Sequence, residues 1–312
     1  MPVHFTVLAS GSAGNASLLI ANGFGLLLDA GLGQRLLTHR LSAAGYTWNQ
    51  VHAVILTHTH SDHRKNTTFR YLWHRRTPLY CHVDHHPDLH AYGRAFAKLQ
   101  EARLVRGYES GQELSLAPGL SCRPVPLRHD GGATFGFRFE MARELFGQSC
   151  SLGYLADLGS WNAELVRALT DVDVLALEFN HDVELEYASG RSPYLIARVL
   201  GDEGHLSNTQ AAGLLREVLR YSVPRRLRHV VQLHLSRECN HPHLAAEAAR
   251  PILAGFEWPI EVHTTWQDRP MPTLILGPRR DSEIVYAIPS QPETVIQLML
   301  PGMEDEQPAA NL

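Results

Sequence analysis

Along most of this chain, short apolar runs alternate with stretches of helical spacing. Residues 3–9, 16–21 and 24–28 read as strands, and 32–44 has helical spacing that stops at Gly45. A β-branched apolar run at 51–56 reads as a buried strand. Alternating segments follow at 114–116, 121–126 and 134–141, and strand-like runs at 151–156, 172–177 and 229–233. Helical spacing returns after the histidines of 58–63 and again at 193–200, 209–219 and 242–253. Ser207 or Asn208 is the natural N-cap of the 209–219 helix.

The polar residues that close these strands change the picture. The run at 51–56 delivers Thr57-His58-Thr59-His60-Ser61-Asp62-His63. In an extended backbone His58 and His60 point to one side, while Asp62 and His63 point elsewhere, which suits two adjacent metals. Imidazole with carboxylate favours zinc, manganese or iron over calcium. Other strands finish in Asp29-Ala30-Gly31, in His129-Asp130-Gly131, in Asp157-Leu158-Gly159, in Glu178-Phe179-Asn180-His181-Asp182 and in His234-Leu235-Ser236. One such residue would be an ordinary satisfied polar group. Strand after strand ending this way predicts one convergent site, with Asp29 buttressing the histidine loop by hydrogen bonding. Ser12 and Asn15 lie in a glycine-rich turn that exposes N–H groups, either a plain hairpin or a substrate-facing loop. The histidines of 82–90 show no regular ligand spacing and read as surface or supporting residues.

Composition narrows the setting. The chain has 312 residues, 44% of them hydrophobic and 19% charged, enough apolar material for a sizeable core. A formal net charge of −4 supplies no global field for nucleic acid, so such a substrate must meet local basic patches. Arg64, Lys65, Arg70, Arg75, Arg76, Arg225, Arg226 and Arg228 are the residues expected to form one. Four cysteines without Cys-x-x-Cys spacing suggest no disulfide framework. No signal-peptide pattern opens the chain and no apolar run approaches the roughly 20 residues of a membrane span, so a cytoplasmic protein without membrane contact is expected.

The series Asp29, His58-x-His60-x-Asp62-His63, His129, Asp157 and His234 resembles the ligand series of the metallo-β-lactamase superfamily, over roughly residues 3–276. That resemblance implies an αββα sandwich of two mixed sheets flanked by helices, with a dinuclear centre of two divalent ions, zinc or manganese, along one edge. It implies His58, His60 and His129 on one metal, Asp62, His63 and His234 on the other, and Asp157 bridging. The elements at 10–15, 178–182, 204–208 and 234–240 look like the YycJ/WalJ group, associated with 5′-to-3′ DNA exonuclease activity. In that group's pattern Phe179 stands for a usual serine and Cys239 for an asparagine.

Gly204-His205-Leu206-Ser207 resembles an element of ribonuclease Z, which implies that His205 serves the scissile phosphate, as Asp62 would orient the attacking water. Asn180 and His181 are expected to support ligands or touch substrate. The expected activity is therefore phosphodiester hydrolysis by an exonuclease acting on DNA, in repair or processing. Hydrolysis of a small cyclic phosphodiester and a metal-binding scaffold without turnover are the competing readings. Residues 277–312 form an extension, expected to be partly disordered. In it, Gln297-Leu298-Met299-Leu300 resembles peptides that dock on a bacterial sliding clamp.

Overall fold

Residues 2–142 and 149–276 are described by a computed structural model. The apolar runs at the start pair as a meander of β1 (Val3–Ala9), β2 (Ala16–Ala21) and β3 (Phe24–Leu28). Helix α1 (Gln34–Ala43), β4 (Ala53–Ile55), α2 (Asn66–Arg75), β5 (Leu79–Cys81), α3 (His86–Tyr92), α4 (Arg94–Glu101) and β6 (Val105–Gly107) follow. A second set of strands then begins with β7 (Leu114–Ala117), β8 (Leu120–Leu127), β9 (Thr134–Met141) and β10 (Cys150–Leu155). It continues through α5 (Ala163–Leu169), β11 (Val174–Glu178), α6 (Val183–Ala188), α7 (Pro193–Leu200), α8 (Asn208–Tyr221), β12 (His229–Leu233), α9 (Pro242–Ala254) and β13 (Glu261–Thr264). Strand β14 (Leu274–Leu276) returns to pair with β1.

Two seven-stranded mixed sheets result, ordered β14-β1-β2-β3-β4-β5-β6 and β13-β12-β11-β10-β9-β8-β7. Phe5, Leu26, Phe137, Phe139, Tyr154 and Val231 pack between them. The outer face of the first sheet packs Leu37, Leu41, Phe69 and Leu72 from its helices, and that of the second packs Leu165, Leu214 and Val218. This is the expected αββα sandwich. Among the described residues no helix is long and apolar enough to cross a membrane. The 277–312 extension, with its clamp-like Gln297–Leu300 segment, lies outside the described residues.

Strand direction places the site. Each antiparallel step reverses direction, so β1 and β3 run the same way, and β4 is parallel to β3. In the other sheet β8 and β10 share a direction through β9, with β11 and β12 parallel to β10. The carboxyl ends of β8, β10, β11 and β12 therefore emerge at one edge of their sheet, and those of β1, β3 and β4 at one edge of theirs.

The differences from expectation are in short elements. Strand β4 is three residues long rather than six, because Val51 closes a 3-10 turn on Trp48 and the residue pairing with its neighbours ends at Ile55. Helices α3, α4, α5 and α6 and strands β5, β6, β13 and β14 show no readable period in the sequence. His85, expected to be a surface or supporting residue, is 1% exposed, and its Nε2 donates to the Ala133 carbonyl (2.7 Å).

Burial pushes the His85 ring down to about 4. The unfolded chain, titrating near 6.5, then binds the extra proton first as pH falls. Stability is complete above about pH 6.5 and is lost progressively toward pH 4, by of order 2 kcal/mol at pH 4.5. Urea melts of His85→Gln, whose amide can still reach Ala133, should show a flatter decline over that range than the wild type.

Candidate metal centre and active site

The loop of residues 57–63 is built on Asp29, which is fully buried beneath it. Asp29 Oδ1 accepts from the Thr57 N–H (2.8 Å), and Oδ2 accepts from Thr57 Oγ1 (3.0 Å) and from His63 Nδ1 (2.8 Å). These bonds hold Asp29 at φ 63°, a left-handed backbone that costs a side-chain-bearing residue about 1–2 kcal/mol. Burial pushes the Asp29 carboxyl above its usual range, against the pull of His63 and Thr57. With Nδ1 donating to Asp29, His63 turns Nε2 toward the centre. Asn15 clamps the same loop: its N–H donates to the Asp62 carbonyl (2.7 Å) and its carbonyl accepts from Gly31 (2.9 Å). Gly31 is required there, since a Cβ would fall 1.7 Å from the Asp62 oxygen.

The strand ends of both sheets converge on this loop. The ligating atoms of His58, His60 and His129 lie within 4.8 Å of one another, as do those of Asp62, His63 and His234. Asp157 lies between the sets, with Oδ2 2.9 Å from His63 Nε2 and Oδ1 3.1 Å from His234 Nδ1. His129 Nδ1 donates to the Gly204 carbonyl (2.8 Å), leaving Nε2 3.3 Å from His60 Nδ1. His234 also has a left-handed backbone, φ 55°, anchored by its N–H donating to Ser10 Oγ (2.8 Å). Gly131 completes the cradle, since a Cβ there would meet His58 Cδ2 at 2.5 Å.

These residues fit a pair of divalent cations. His58 Nε2 is buried without a hydrogen-bond partner, an arrangement that costs free energy unless something positive meets it. Burial alone would push the His234 ring down, yet Asp157, Asp62 and Glu178 hold it up to about 10. Burial likewise works against His63, which Asp29, Asp157 and Asp62 hold well above its ordinary range. That concentration of negative charge is what metal ions neutralise. No thiolate joins the grouped donors, so the set does not single out zinc.

His205 overlooks this centre from the loop between α7 and α8, its ring 5.0 Å from that of His129 and 5.2 Å from that of His234. Glu178 holds it: Oε1 accepts from His205 Nδ1 (2.7 Å) and lies 3.1 Å from His234 Nδ1. Oε2 accepts from the Leu158 and Leu206 N–H groups (2.9 and 3.2 Å). Burial lowers the His205 pKa, but Glu178 and Asp157 more than offset it, so it stands above its ordinary value. Glu178 was given no role from sequence, although a carboxylate ending the otherwise apolar strand β11 was the available signal.

Asn180 Nδ2 donates to the His234 carbonyl (2.9 Å) and so supports that ligand position. His181 is fully buried and lies outside the grouped donors. Ser12 is exposed on its loop.

The expected basic rim is corrected at residues 75–76 and 225–228. Arg226 and Arg228 pair with Asp173 (2.9 and 3.3 Å), just before β11, whereas Glu178 ends that strand. About 16 Å of extended chain therefore separates the 225–228 loop, with Arg225, from the site. Arg75 and Arg76 lie at the far end of α2, about 15 Å from Lys65. Arg64 lies 3.8 Å over the Tyr92 ring and Lys65 Nζ donates to Ser61 O (2.7 Å). Arg64 Nε also donates to the Thr59 carbonyl within the histidine loop, and Arg198 on α7 bonds Asp130, whose Oδ1 is 3.5 Å from His129 Nε2.

Comparison with known proteins agrees with this geometry. A beta-lactamase superfamily domain matches residues 25–227. The chain belongs to the metallo-β-lactamase superfamily. Exodeoxyribonuclease YycJ of Bacillus anthracis is 26% identical over 287 residues, covering 88% of this chain and 99% of the relative. Exodeoxyribonuclease WalJ of Streptococcus pneumoniae is 26% identical over 248 residues, covering 77% and 84%. Among solved structures, the metallo-β-lactamase fold protein YhfI from Bacillus subtilis aligns with a TM-score of 0.61 at 18% identity, covering 87% of this chain and 99% of that one. Hydrolases of this superfamily are generally metal-dependent, and the donor cluster here fits that chemistry.

In this metallo-β-lactamase fold Asp29 is the support whose removal is cleanest to read. An amide in its place would oppose an N–H to His63 Nδ1–H and turn the ring's tautomer. Asp29→Asn should weaken metal binding by about 10–100-fold while the protein stays folded, checked by metal titration beside circular dichroism.

Proposed function

We propose that this chain is a metal-dependent phosphodiesterase acting on DNA as a 5′-to-3′ exonuclease. The observation that carries this reading is the His205–Glu178 pair set beside the donor cluster, an extra acid–base group that metal storage would not need. The two relatives named exodeoxyribonucleases, one matched over 99% of its length, support the choice of substrate. Held by His58, His60 and His129 and by Asp62, His63 and His234, with Asp157 between, divalent ions would supply Lewis acidity and lower the pKa of water toward neutrality. Asp62 orients the attacking water. Glu178 keeps the Nδ1 proton of His205, so the partly exposed ring directs Nε2 at substrate and gives its proton to the leaving alkoxide.

DNA would approach along α6 and α7. Tyr187 and Tyr194 are 67% and 80% exposed there, and Tyr194 stands one turn before Arg198. Exposed aromatic faces stack unpaired bases for about 1–3 kcal/mol each, without sequence preference.

Metal-loaded protein incubated with end-labelled duplexes tests the reading. Release of mononucleotides from the 5′-phosphorylated end is expected; inertness on every nucleic acid, with cleavage of a small cyclic diester, would replace it. His205→Ala should lower turnover about 10²–10⁴-fold with metal content nearly unchanged, whereas His234→Ala should lose metal, both read by metal analysis beside rates. Tyr194→Ala should raise KM for DNA roughly tenfold while leaving hydrolysis of a small chromogenic diester unaltered.

A further inference from the structure

Among the described residues, one more group of metal-ligating side chains lies outside this centre: His229, Glu261 and His263. His229 opens β12 and faces Glu261 across the parallel ladder with β13. Glu261 and His263 are two residues apart on β13, so all three side chains leave the same face of the sheet. His234, at the other end of β12, is about 16 Å along the strand, and no residue is shared between the two groups.

The triangle of donor atoms has the size a metal ion demands. His229 Nδ1 is 3.2 Å from His263 Nε2, and Glu261 Oε2 is 3.7 Å from the first and 3.5 Å from the second. Two ligands of a tetrahedral ion with bonds of ~2.0–2.1 Å are ~3.4 Å apart. The three separations scatter about that value. The rings meet nitrogen to nitrogen, so they cannot both carry a proton there; burial pushes both below the ordinary histidine range, which leaves lone pairs for a ligand. His229 is 5% exposed, while the Glu261 side chain, at 35%, borders solvent and gives an ion its way in.

We propose that His229, His263 and Glu261 bind one divalent transition-metal ion of the zinc, nickel or copper class, separate from the catalytic centre. Two imidazoles and one carboxylate select such borderline ions over magnesium or calcium. The ion pins β13, the edge strand of its sheet, onto β12. From β13 the chain runs directly into residues 265–267, where the Trp266 carbonyl accepts from Ser10 N–H (3.0 Å) and Gln267 Nε2 donates to the Leu235 carbonyl (3.0 Å). The staple thus steadies the segment that holds the glycine loop and the His234 turn. The ion acts on stability by binding the folded state alone.

The inference does not depend on the nuclease reading, and its test is a difference in stoichiometry. Full-length wild type, His263→Gln and Glu261→Gln are stripped with chelator, reloaded with zinc, desalted and analysed for bound metal, with circular dichroism confirming folding. Wild type should hold one equivalent more than His263→Gln, and zinc should raise its melting temperature by more than that of either variant. Glu261→Gln, changed at a half-exposed edge position, tests the same site should the histidine variant fail to fold, and should also release the extra equivalent. Equal zinc content in wild type and the folded variants would overturn the proposal and leave an N–H···N hydrogen bond between the rings. A wild type with fewer equivalents than three, still one above the variants, would uphold this site and count against the dinuclear centre instead.

Discussion

A carboxylate removed from water must find compensating partners, and Asp157 is held 2% exposed where the two sheets meet. Everything around it answers that requirement. His63 reaches it from the first sheet at 2.9 Å and His234 from the second at 3.1 Å, so the carboxyl is held well below its ordinary range despite burial. Those imidazoles are themselves buried and in turn need acceptors, which Asp29 and Glu178 provide from behind. The site is thus two carboxylate–imidazole layers deep, a donor set that fits divalent cations at the centre.

The layering is possible because of strand direction. With β3, β4, β8, β10, β11 and β12 discharging toward one end of the sandwich, Asp29, His58, His129, Asp157, Glu178 and His234 each need only to lie at a strand's last residue or within three residues beyond it. The strained backbones at Asp29 and His234 are the cost of aiming side chains back over the sheets from such positions. Both are offset locally, by Thr57 and by Ser10. A site placed on strand ends is therefore rigid on its protein side and open toward solvent.

Much of this was legible in the amino-acid order, for a definable reason. Long strands and amphipathic helices announce themselves by period, and a histidine or aspartate ending an apolar run breaks the period visibly, as His58, Asp157 and His234 do. Three-residue strands such as β5 and β14 contain no period at all. The basic residues misled because sequence does not say which end of a strand a loop occupies: Arg226 and Arg228 belong to the end where Asp173 needs partners. Glu178 was visible as a strand-ending carboxylate, but its role depends on His205, 27 positions away, being brought to 2.7 Å by the α7–α8 connection. His229 and His263 were invisible as a pair for the same reason, being joined only by the β12–β13 ladder.

That redistribution of charge bears on how the proposed nuclease would hold DNA. Arg191 is committed to Glu186 and Glu238, and Arg198 to Asp130, so the arginines of the 183–200 excursion arrive already neutralised. With a formal charge of −4 on the whole chain, long-range attraction of a polyanion is weak. Affinity must then lean on short-range terms: the metal centre gripping one phosphate, and Tyr187 and Tyr194 stacking bases that are already unpaired. Stacking of this kind is available at frayed ends and on single strands, and is denied by the closed interior of a duplex. On this reading the preference for a terminus would follow from the pairing of Arg191 and Arg198 with carboxylates as much as from what the centre contains.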